Sequence, residues 1–264
     1  MEMQPENEPQ PKVIPYVLSI AGFDPSAGAG VLADIKTFSA NGVYGMGVVT
    51  SLTWQNDVEF ALVEWVGIEK IISQCEILLK RFNITHVKIG LIESASVLFQ
   101  LLKYLKARIE NAVIIYDPIV KATAGFTFHD ANPDPDQFMG IMRGIDCITP
   151  NIPEATFLFG EDDLHDRLME LRPAFNIYLK GGHKDSNTAL DILYTRENVV
   201  TFSNPRLPNG EKHGSGCVLS SALTAQLALG HDMVTASEKA NLYTHQFLGS
   251  SDTLLGLHYP LTVA

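Results

Sequence analysis

Short apolar runs that stop abruptly at glycine, proline or a charged residue recur along this chain, separated by stretches with helical periodicity. The runs span residues 16–21, 47–53, 86–89, 112–116, 147–148 and 177–179. The clearest intervening stretch is Ile68–Phe82, whose apolar residues recur at the helical spacing and predict an amphipathic helix. Strands that alternate with helices favour a largely parallel sheet with helices on both faces, which is the α/β class.

The rest of the chain fits the same pattern. Further helices are predicted over 28–40, 95–107, 135–142, 153–159, 216–229 and 233–248, and a pair of strands over 190–202. A chain of 264 residues that is 46% hydrophobic can bury one large core. We therefore predict a disordered, proline-rich tail over residues 1–15, followed by one domain over residues 16–264.

Charge and cysteine usage restrict the partners and the compartment. The net charge is −11 and no basic stripe is visible, which argues against nucleic acid and anionic membranes as partners. No apolar run approaches the roughly 18–20 residues of a membrane span, and the first residues lack the features of a secretory signal. The three cysteines show no C-x-x-C spacing, so we expect a cytoplasmic protein without disulfides.

Polar residues and glycines follow the predicted strands at the point where each strand ends. Gly22 follows the first run, Asp117 follows 112–116, Thr149 follows 147–148 and Lys180 follows 177–179. In a parallel sheet these ends lie at one edge, which is where open α/β sheets bind ligands. The sequence therefore predicts a binding site at this edge.

The segment His213–Cys217 precedes a helix of small residues and is the strongest candidate for chemistry. Gly214, Ser215 and Gly216 allow tight turning, and their N–H groups at a helix N-terminus form an anion hole suited to a phosphoryl group. We expect the same field to lower the pKa of Cys217, whose thiolate would take a proton from a hydroxyl group. The alternative is a glycine-rich turn with a structural cysteine.

Two further motifs suit phosphate chemistry. Asn151 and Glu154 are one helical turn apart and would hold a hydrated Mg²⁺; the alternative is that Asn151 caps a helix. Lys180 would contact phosphate, and Gly182 would let the backbone approach a nucleotide; the alternative is a turn. The weak G-x-G-x-x-A pattern that starts at Gly28 does not support a dinucleotide site, because the preceding loop is too long for a tight Rossmann turn.

In this order, the motifs resemble those of the hydroxymethylpyrimidine/phosphomethylpyrimidine kinases of thiamine biosynthesis. The matching segments are 20–38, 42–46, 52–56, 88–90, 117–118, 149–155, 180–183 and 213–217. The resemblance implies a ribokinase-like fold, ATP and Mg²⁺ as cofactors, a small aminopyrimidine as substrate and a homodimer.

The resemblance also implies a role for each matching residue. Cys217 stands at the position of the catalytic base, Gly214, Ser215 and Gly216 at the anion hole, and Asn151 and Glu154 at the metal and phosphate motif. Asp34 and Gln55 match positions that hydrogen-bond the aminopyrimidine. The remaining matches are the pocket wall, Gly22, Ala29, Leu91 and Val120, and the ATP side, Asp117, Thr149, Lys180 and Gly182.

The chain departs from the family pattern at several positions. Phe23 and Ala27 replace a usual serine and glycine, and Thr123 stands where a lysine is expected, which leaves a second phosphorylation open. Trp54 and Leu91 replace a usual alanine and methionine and would reshape the ring pocket. Pyridoxal kinase activity is the alternative function, and a non-catalytic vitamin-binding protein is a third.

Overall fold

A computed structural model of the protein describes residues 14–120, 135–181 and 188–260. In these residues nine strands form one sheet. The strands are β1 (Tyr16–Phe23), β2 (Tyr44–Gln55), β3 (Phe60–Trp65), β4 (Ile84–Ile89), β5 (Val113–Tyr116), β6 (Cys147–Ile148), β7 (Asn176–Leu179), β8 (Thr188–Tyr194) and β9 (Val199–Pro205).

The sheet is mostly parallel. Its strand order is β3-β2-β1-β4-β5-β6-β7-β8-β9, and the six strands from β2 to β7 in this order pair in parallel. The outer strands β3, β8 and β9 pair antiparallel. The carboxyl ends of the six parallel strands therefore meet at one edge, as the sequence predicted.

Helices cover both faces of the sheet. They are α1 (Gly30–Ala40), α2 (Ile68–Leu79), α3 (Ala95–Arg108), α4 (Pro135–Met142), α5 (Ile152–Phe159), α6 (Leu164–Leu171), α7 (Ser215–Ala228) and α8 (Met233–Leu248). One core includes Ile71 of α2 and Leu101 of α3 with Leu18 of β1. A second core includes Val218 of α7 and Ala240 of α8 with Ile115 of β5. This arrangement confirms the predicted α/β class.

Two elements escaped the sequence prediction. Strand β3 is an edge strand whose residues are all exposed or half-buried, so its apolar alternation is weak. Helix α6 is short and buries only Leu168 and Leu171. The predicted tail lies mostly outside the described residues, and its disorder and the single-domain organisation of residues 16–264 stay predictions. No helix in the described part of the chain is long and apolar enough to cross a membrane.

Candidate active site

Two glycine-containing loops pack against each other at the carboxyl edge of the sheet. Gly214 has φ +74°, and a Cβ there would lie 2.1 Å from the carbonyl oxygen of Gly28. Gly30 has φ +61°, and a Cβ there would lie 2.2 Å from the carbonyl oxygen of Gly22. Only glycine fits at either position, because the left-handed backbone and the close approach both exclude a side chain. The N-termini of α1 and α7 are brought together as a result.

The start of α7 is arranged to receive an anion. Among the described residues no side chain caps this helix, and the Ser215 N–H reaches the Lys212 carbonyl oxygen only at 3.4 Å. The N–H groups of the first turn therefore keep bonding capacity, and they lie at the positive end of the helix dipole. These groups belong to the segment that includes Gly214, Ser215 and Gly216. An open helix start is what the predicted anion hole requires, and the binding of an anion there stays a prediction.

Cys217 lies between the two helix N-termini. Its side chain is 5% exposed, and the backbone N–H of Gly30 hydrogen-bonds to its sulfur. Burial raises the pKa of Cys217 to about 11, although the positive charge of Lys88 acts in the opposite direction. The sequence-based expectation of a lowered pKa is wrong, because burial outweighs the favourable charges. At neutral pH Cys217 is therefore a thiol.

A charged cluster lies beside the anion hole, at the ends of β5, β6 and β7. The Lys180 ammonium donates to Asp117 Oδ1 at 2.8 Å, and the Thr149 hydroxyl donates to the same oxygen at 3.0 Å. Burial opposes ionisation of Asp117, but Lys180 and Lys88 hold the pKa of this carboxyl below its usual range. The Lys180 nitrogen lies 3.0 Å from where a Cβ of Gly216 would stand, so this glycine leaves room for the ammonium.

Asn151 and Glu154 form a complete capping box at the start of α5. Asn151 Oδ1 accepts the N–H of Glu154 at 2.8 Å, and Glu154 Oε2 accepts the N–H of Asn151 at 2.8 Å. Glu154 also lies 3.6 Å from the Lys180 ammonium. Burial and the charge of Asp117 nevertheless raise the pKa of Glu154. The capping interpretation is confirmed, and a ligand role for the same pair stays a prediction.

The side chains of Ser51 and Leu91 pack around the end of β1. A Cβ on Gly22 would lie 2.8 Å from Ser51 Oγ and 3.2 Å from Leu91 Cδ2. The Ser51 hydroxyl is buried and has no hydrogen-bond partner among the described residues. Nothing in the sequence marked Ser51, because a lone serine in a strand carries no motif.

Gln55 shares the face of β2 that carries Ser51. Its amide nitrogen donates to Thr53 Oγ1 at 2.8 Å, and the Thr53 hydroxyl donates to the carbonyl oxygen of Phe23 at 2.8 Å. Trp54 points to the opposite face, where it is 48% exposed and opposes Leu62 on β3. The predicted reshaping of the ring pocket by Trp54 is therefore not supported by its position.

Asp34 lies beneath the site rather than in its wall. Its carboxylate accepts from both the Lys88 ammonium, at 3.0 and 2.9 Å, and the Ser221 hydroxyl, at 2.7 Å. The Ser19 hydroxyl adds a further short hydrogen bond. Because Asp34 is fully buried and engaged by these donors, the structure assigns its carboxylate to the protein interior, in contrast to the substrate contact predicted from the sequence.

A second buried pair ties the two loops together. Asp24 accepts the N–H groups of Ser26 and Ala29, each at 2.8 Å, and its Oδ2 lies 2.8 Å from His213 Nε2. Burial favours the protonated form of Asp24, but the bonds from His213 and Ser26 lower its pKa overall. Between Ser26 and Ala29, Ala27 has φ +58°, a left-handed conformation that suits the glycine expected there.

The remaining predicted residues fall around this arrangement. Ala29 is the N-cap residue of α1, Leu91 is buried and Val120 is half-buried after the end of β5. Gly182 and Thr123 lie outside the described residues. A cleft of about 510 Å³, unmarked in the sequence, lies between the segment before the anion hole and α8. Its lining includes Leu207, His245 and Leu254, and the Leu254 carbonyl accepts the N–H of His213.

Comparisons with known proteins agree with the geometry. The profile of the family described as phosphomethylpyrimidine kinase matches residues 24–262. A hydroxymethylpyrimidine/phosphomethylpyrimidine kinase of Staphylococcus aureus (strain MRSA252) is 33% identical over 243 residues, which cover 89% of this chain and 87% of the relative.

Two solved structures show the same fold. The phosphomethylpyrimidine kinase of Clostridium difficile 630 is 31% identical, with a TM-score of 0.71 over 88% of this chain and 98% of that one. An ADP complex of Bacillus subtilis pyridoxal kinase is 25% identical, with a TM-score of 0.76 over 94% of this chain and 98% of that one.

Proposed function

The chain belongs to the phosphomethylpyrimidine kinase family, and we propose that it transfers the terminal phosphoryl group of ATP to the hydroxymethyl group of 4-amino-5-hydroxymethyl-2-methylpyrimidine, a step of thiamine biosynthesis. The observation that carries the proposal is the uncapped N-terminus of α7 at the ligand edge of the sheet, with the Cys217 sulfur beside it. Few other arrangements stabilise the charge of a transferring phosphoryl group so directly.

The residues of this chain would act mainly by positioning and charge. The hydroxyl oxygen of the alcohol forms the new bond to phosphorus while the bond between this phosphorus and the oxygen of ADP breaks. The N–H groups of residues 214–217 and the Lys180 ammonium stabilise the equatorial oxygens. The proton of the hydroxyl group moves to the sulfur of Cys217, which must be deprotonated first. Since the pKa of Cys217 is about 11, transfer should accelerate as the pH rises.

The residues at the ends of β5 and β6 fit a magnesium ion. Asp117 and Glu154 share one ammonium, that of Lys180, which leaves an excess of negative charge. In the described part of the chain no group of three or more histidine, cysteine or carboxylate side chains forms a metal cage. Mg²⁺ needs no such cage, because it retains waters and binds through one or two carboxylates together with phosphates. Bound Mg²⁺ would neutralise charge on the phosphates, held by Glu154 and Asn151 with support from Asp117.

Two polar groups suit the edge of an aminopyrimidine. The Ser51 hydroxyl is buried without a partner beside Gly22 and Leu91, and the Gln55 amide lies on the same face of β2. A hydroxyl and an amide can both donate and accept, so together they can bind a ring nitrogen and an exocyclic amine. The nucleotide base would occupy the 510 Å³ cleft near Leu254, since this cleft adjoins the anion hole.

Pyridoxal is the second candidate substrate. The similarity to the pyridoxal kinase of Bacillus subtilis favours it, as does the engagement of Asp34 by protein donors, which removes one predicted contact to the aminopyrimidine. Mass analysis of products after incubation with ATP, Mg²⁺ and each alcohol tests the proposal. We expect the pyrimidine monophosphate to form with the higher kcat/KM. Preferential formation of pyridoxal phosphate would reject the pyrimidine in favour of the alternative.

The same experiment addresses the second phosphorylation. A diphosphate product would show that Thr123, in place of the usual lysine, still permits a phosphorylated substrate. A monophosphate that persists with excess ATP would limit the enzyme to the first step.

A homodimer and a cytoplasmic location complete the proposal. Leu52, Trp54 and Leu62 are exposed apolar side chains on neighbouring strands near one edge of the sheet, which suits contact with a second copy. The three cysteines are free and buried, as expected in a reducing compartment. Light scattering coupled to gel filtration measures the mass in solution, and a monomer at micromolar concentration would contradict the dimer.

A further inference from the structure

Lys88 is a fully buried lysine beneath the proposed active site. It lies on β4, and its ammonium bonds both oxygens of Asp34 on α1, at 3.0 and 2.9 Å. Neither side chain is exposed to solvent. Lys88 is therefore sealed from any ligand and acts only through the protein around it.

A sealed ion pair of this kind is not explained by stability. Removing two charges from water is unfavourable, and well-packed apolar side chains usually stabilise a core as well or better. The pair also lies beside the proposed reaction centre rather than in either of the two apolar cores. Its location points to a function in the reaction.

Asp34 connects this pair to the reacting helix. Ser221 of α7 donates to Asp34 Oδ1 at 2.7 Å. Ser221 comes four residues after Cys217, so the two side chains lie on the same face of the helix. The ion pair thus holds the face of α7 that carries the sulfur. Ser19 of β1 bonds Asp34 from the sheet side and completes the attachment.

The charges that face Cys217 come from four elements. Lys88 on β4 favours the thiolate, while Asp34 on α1 and Asp117 at the end of β5 favour the thiol. Lys180, at the end of β7, also interacts with the sulfur. Lys180 and Asp117 belong to the pair that solvent reaches, at the proposed position of the phosphates. Lys88 is the positive charge that ligands cannot reach.

We infer that Lys88 is a positioning residue of the transfer step: through Asp34 and Ser221 it seats the first turns of α7, and it supplies a fixed positive charge to the Cys217 sulfur. The inference rests on the proposed role of Cys217 in phosphoryl transfer. It predicts that the two members of the pair act on the sulfur in opposite directions, since one is a cation and the other an anion.

The test measures the rate of alkylation of Cys217 by iodoacetamide against pH, with the modified cysteine identified by peptide mass. In Lys88→Met the apparent pKa of Cys217 should rise, and alkylation at a fixed pH near 9 should slow at least about threefold. In Asp34→Asn the apparent pKa should fall and alkylation should accelerate. Lys103→Met, which removes an exposed charge on α3, serves as the matched control and should leave the profile unchanged.

Opposite shifts support the inference, whereas shifts in the same direction, or none, overturn it in favour of a purely structural pair. If Lys88→Met does not fold, Lys88→Met can be combined with Asp34→Asn, which gives a double variant without either charge. The pKa of Cys217 should be higher in this double variant than in Asp34→Asn alone. A fall or no change would overturn the inference equally.

Activity provides the second measurement. In Lys88→Met, kcat should fall at least about tenfold while KM for ATP and for the alcohol stays within about threefold, because Lys88 touches neither. An unchanged kcat would contradict the inference. The alkylation profile needs no substrate, so the effect of Lys88 on the sulfur is tested even if the pyrimidine proves not to be the substrate.

Discussion

Two lysine–aspartate pairs flank the start of α7, and they differ in access to solvent. Lys88 and Asp34 are 2.9 Å apart and both are 0% exposed. Lys180 and Asp117 are 2.8 Å apart, and the lysine side chain is 16% exposed. Consecutive serines of α7 bond the two aspartates: Ser221 donates to Asp34 and Ser220 donates to Asp117, at 2.7 and 3.2 Å.

The pairs also differ in charge balance. Glu154 lies 3.6 Å from the Lys180 ammonium, so two carboxylates share one positive charge in the accessible pair. The sealed pair has one charge of each sign. The same chemistry therefore occurs in two settings. The sealed pair has balanced charge and holds the face of α7 that carries Cys217, while the accessible pair has excess negative charge and is the one proposed to receive ligands and a metal ion.

Cys217, which lies between the two pairs, should affect turnover more than any other residue discussed. Cys217→Ala should lower kcat by roughly two to four decades, because it removes the proposed proton acceptor. Steady-state kinetics of the purified variant measure the effect. Cys75→Ala is the matched control, since Cys75 lies on the buried face of α2, and its kcat should match that of the wild type. Near-normal turnover of Cys217→Ala would show that Cys217 does not accept the proton and that neither pair acts through its sulfur.

Stability should separate the sealed pair from a surface charge. Lys88→Met should lower the free energy of unfolding by about 3–5 kcal/mol, because it leaves the Asp34 carboxylate buried without compensation. Replacing both members, as in Lys88→Met with Asp34→Leu, should restore most of the loss. Urea titrations measure both variants, with Lys103→Met as the control. If Lys88→Met were as stable as the wild type, water would have to reach the Asp34 carboxylate, and the pair would not be sealed from solvent.

Ligand binding should respond to the accessible pair alone. Lys180→Met should raise KM for ATP by about 30-fold or more, because a charge-assisted contact worth roughly 2 kcal/mol is lost. Lys88→Met should leave that KM within about threefold of the wild type. Initial rates at varied ATP concentration make the comparison. Equal increases of KM for ATP in both variants would show that the two pairs do not differ in their effect on ATP binding.

The charge of Glu154, which is in excess beside the accessible pair, should have a small effect on stability. The pKa of Glu154 is raised from its ordinary value of 4.5, so the folded state holds this proton more tightly than the unfolded state does. Stability from this group is therefore present below about pH 4.5 and declines as the pH rises through the folded-state pKa. Glu154→Gln, which carries no charge, should be more stable than the wild type at pH 7, because the wild type must keep a buried charge there.

Urea titrations without Mg²⁺, at pH 7 and below pH 4.5, check this prediction, and the gain should vanish at the lower pH. Added Mg²⁺ should stabilise the wild type more than Glu154→Gln. A variant that is less stable at both pH values would show that the capping bond to Asn151 outweighs the charge.

Local sequence signals predicted most of the helices and strands. The helices over 135–142 and 233–248 agree with the structure at both ends, because periodicity and flanking residues act locally. The cluster of strand-end residues was also predictable, since a parallel sheet brings such ends together. Strand β3 was missed because an exposed edge strand buries too little to leave a period-2 pattern.

The electrostatics of the site could not be predicted from the sequence. Lys88 and Asp34 are 54 positions apart, and only the sheet and α1 together bring them into contact. The predicted anion hole could be proposed from Gly214 and Gly216, but the pKa of Cys217 depends on its burial and on the charges of Lys88, Asp34 and Asp117, which lie far away in the sequence. The position of Cys217 at a helix N-terminus, taken alone, predicted a lowered pKa.

The pH dependence of the transfer step reports whether Cys217 accepts the proton of the alcohol. The rate of a single turnover, measured by rapid quench with the pyrimidine alcohol and ATP, should rise about tenfold per pH unit between about pH 7 and pH 10 in the wild type, because the thiolate fraction rises in this way below a pKa of about 11. The profile of Cys217→Ala should be slow and flat. A flat profile in the wild type, or the same slope in both enzymes, would exclude Cys217 as the proton acceptor.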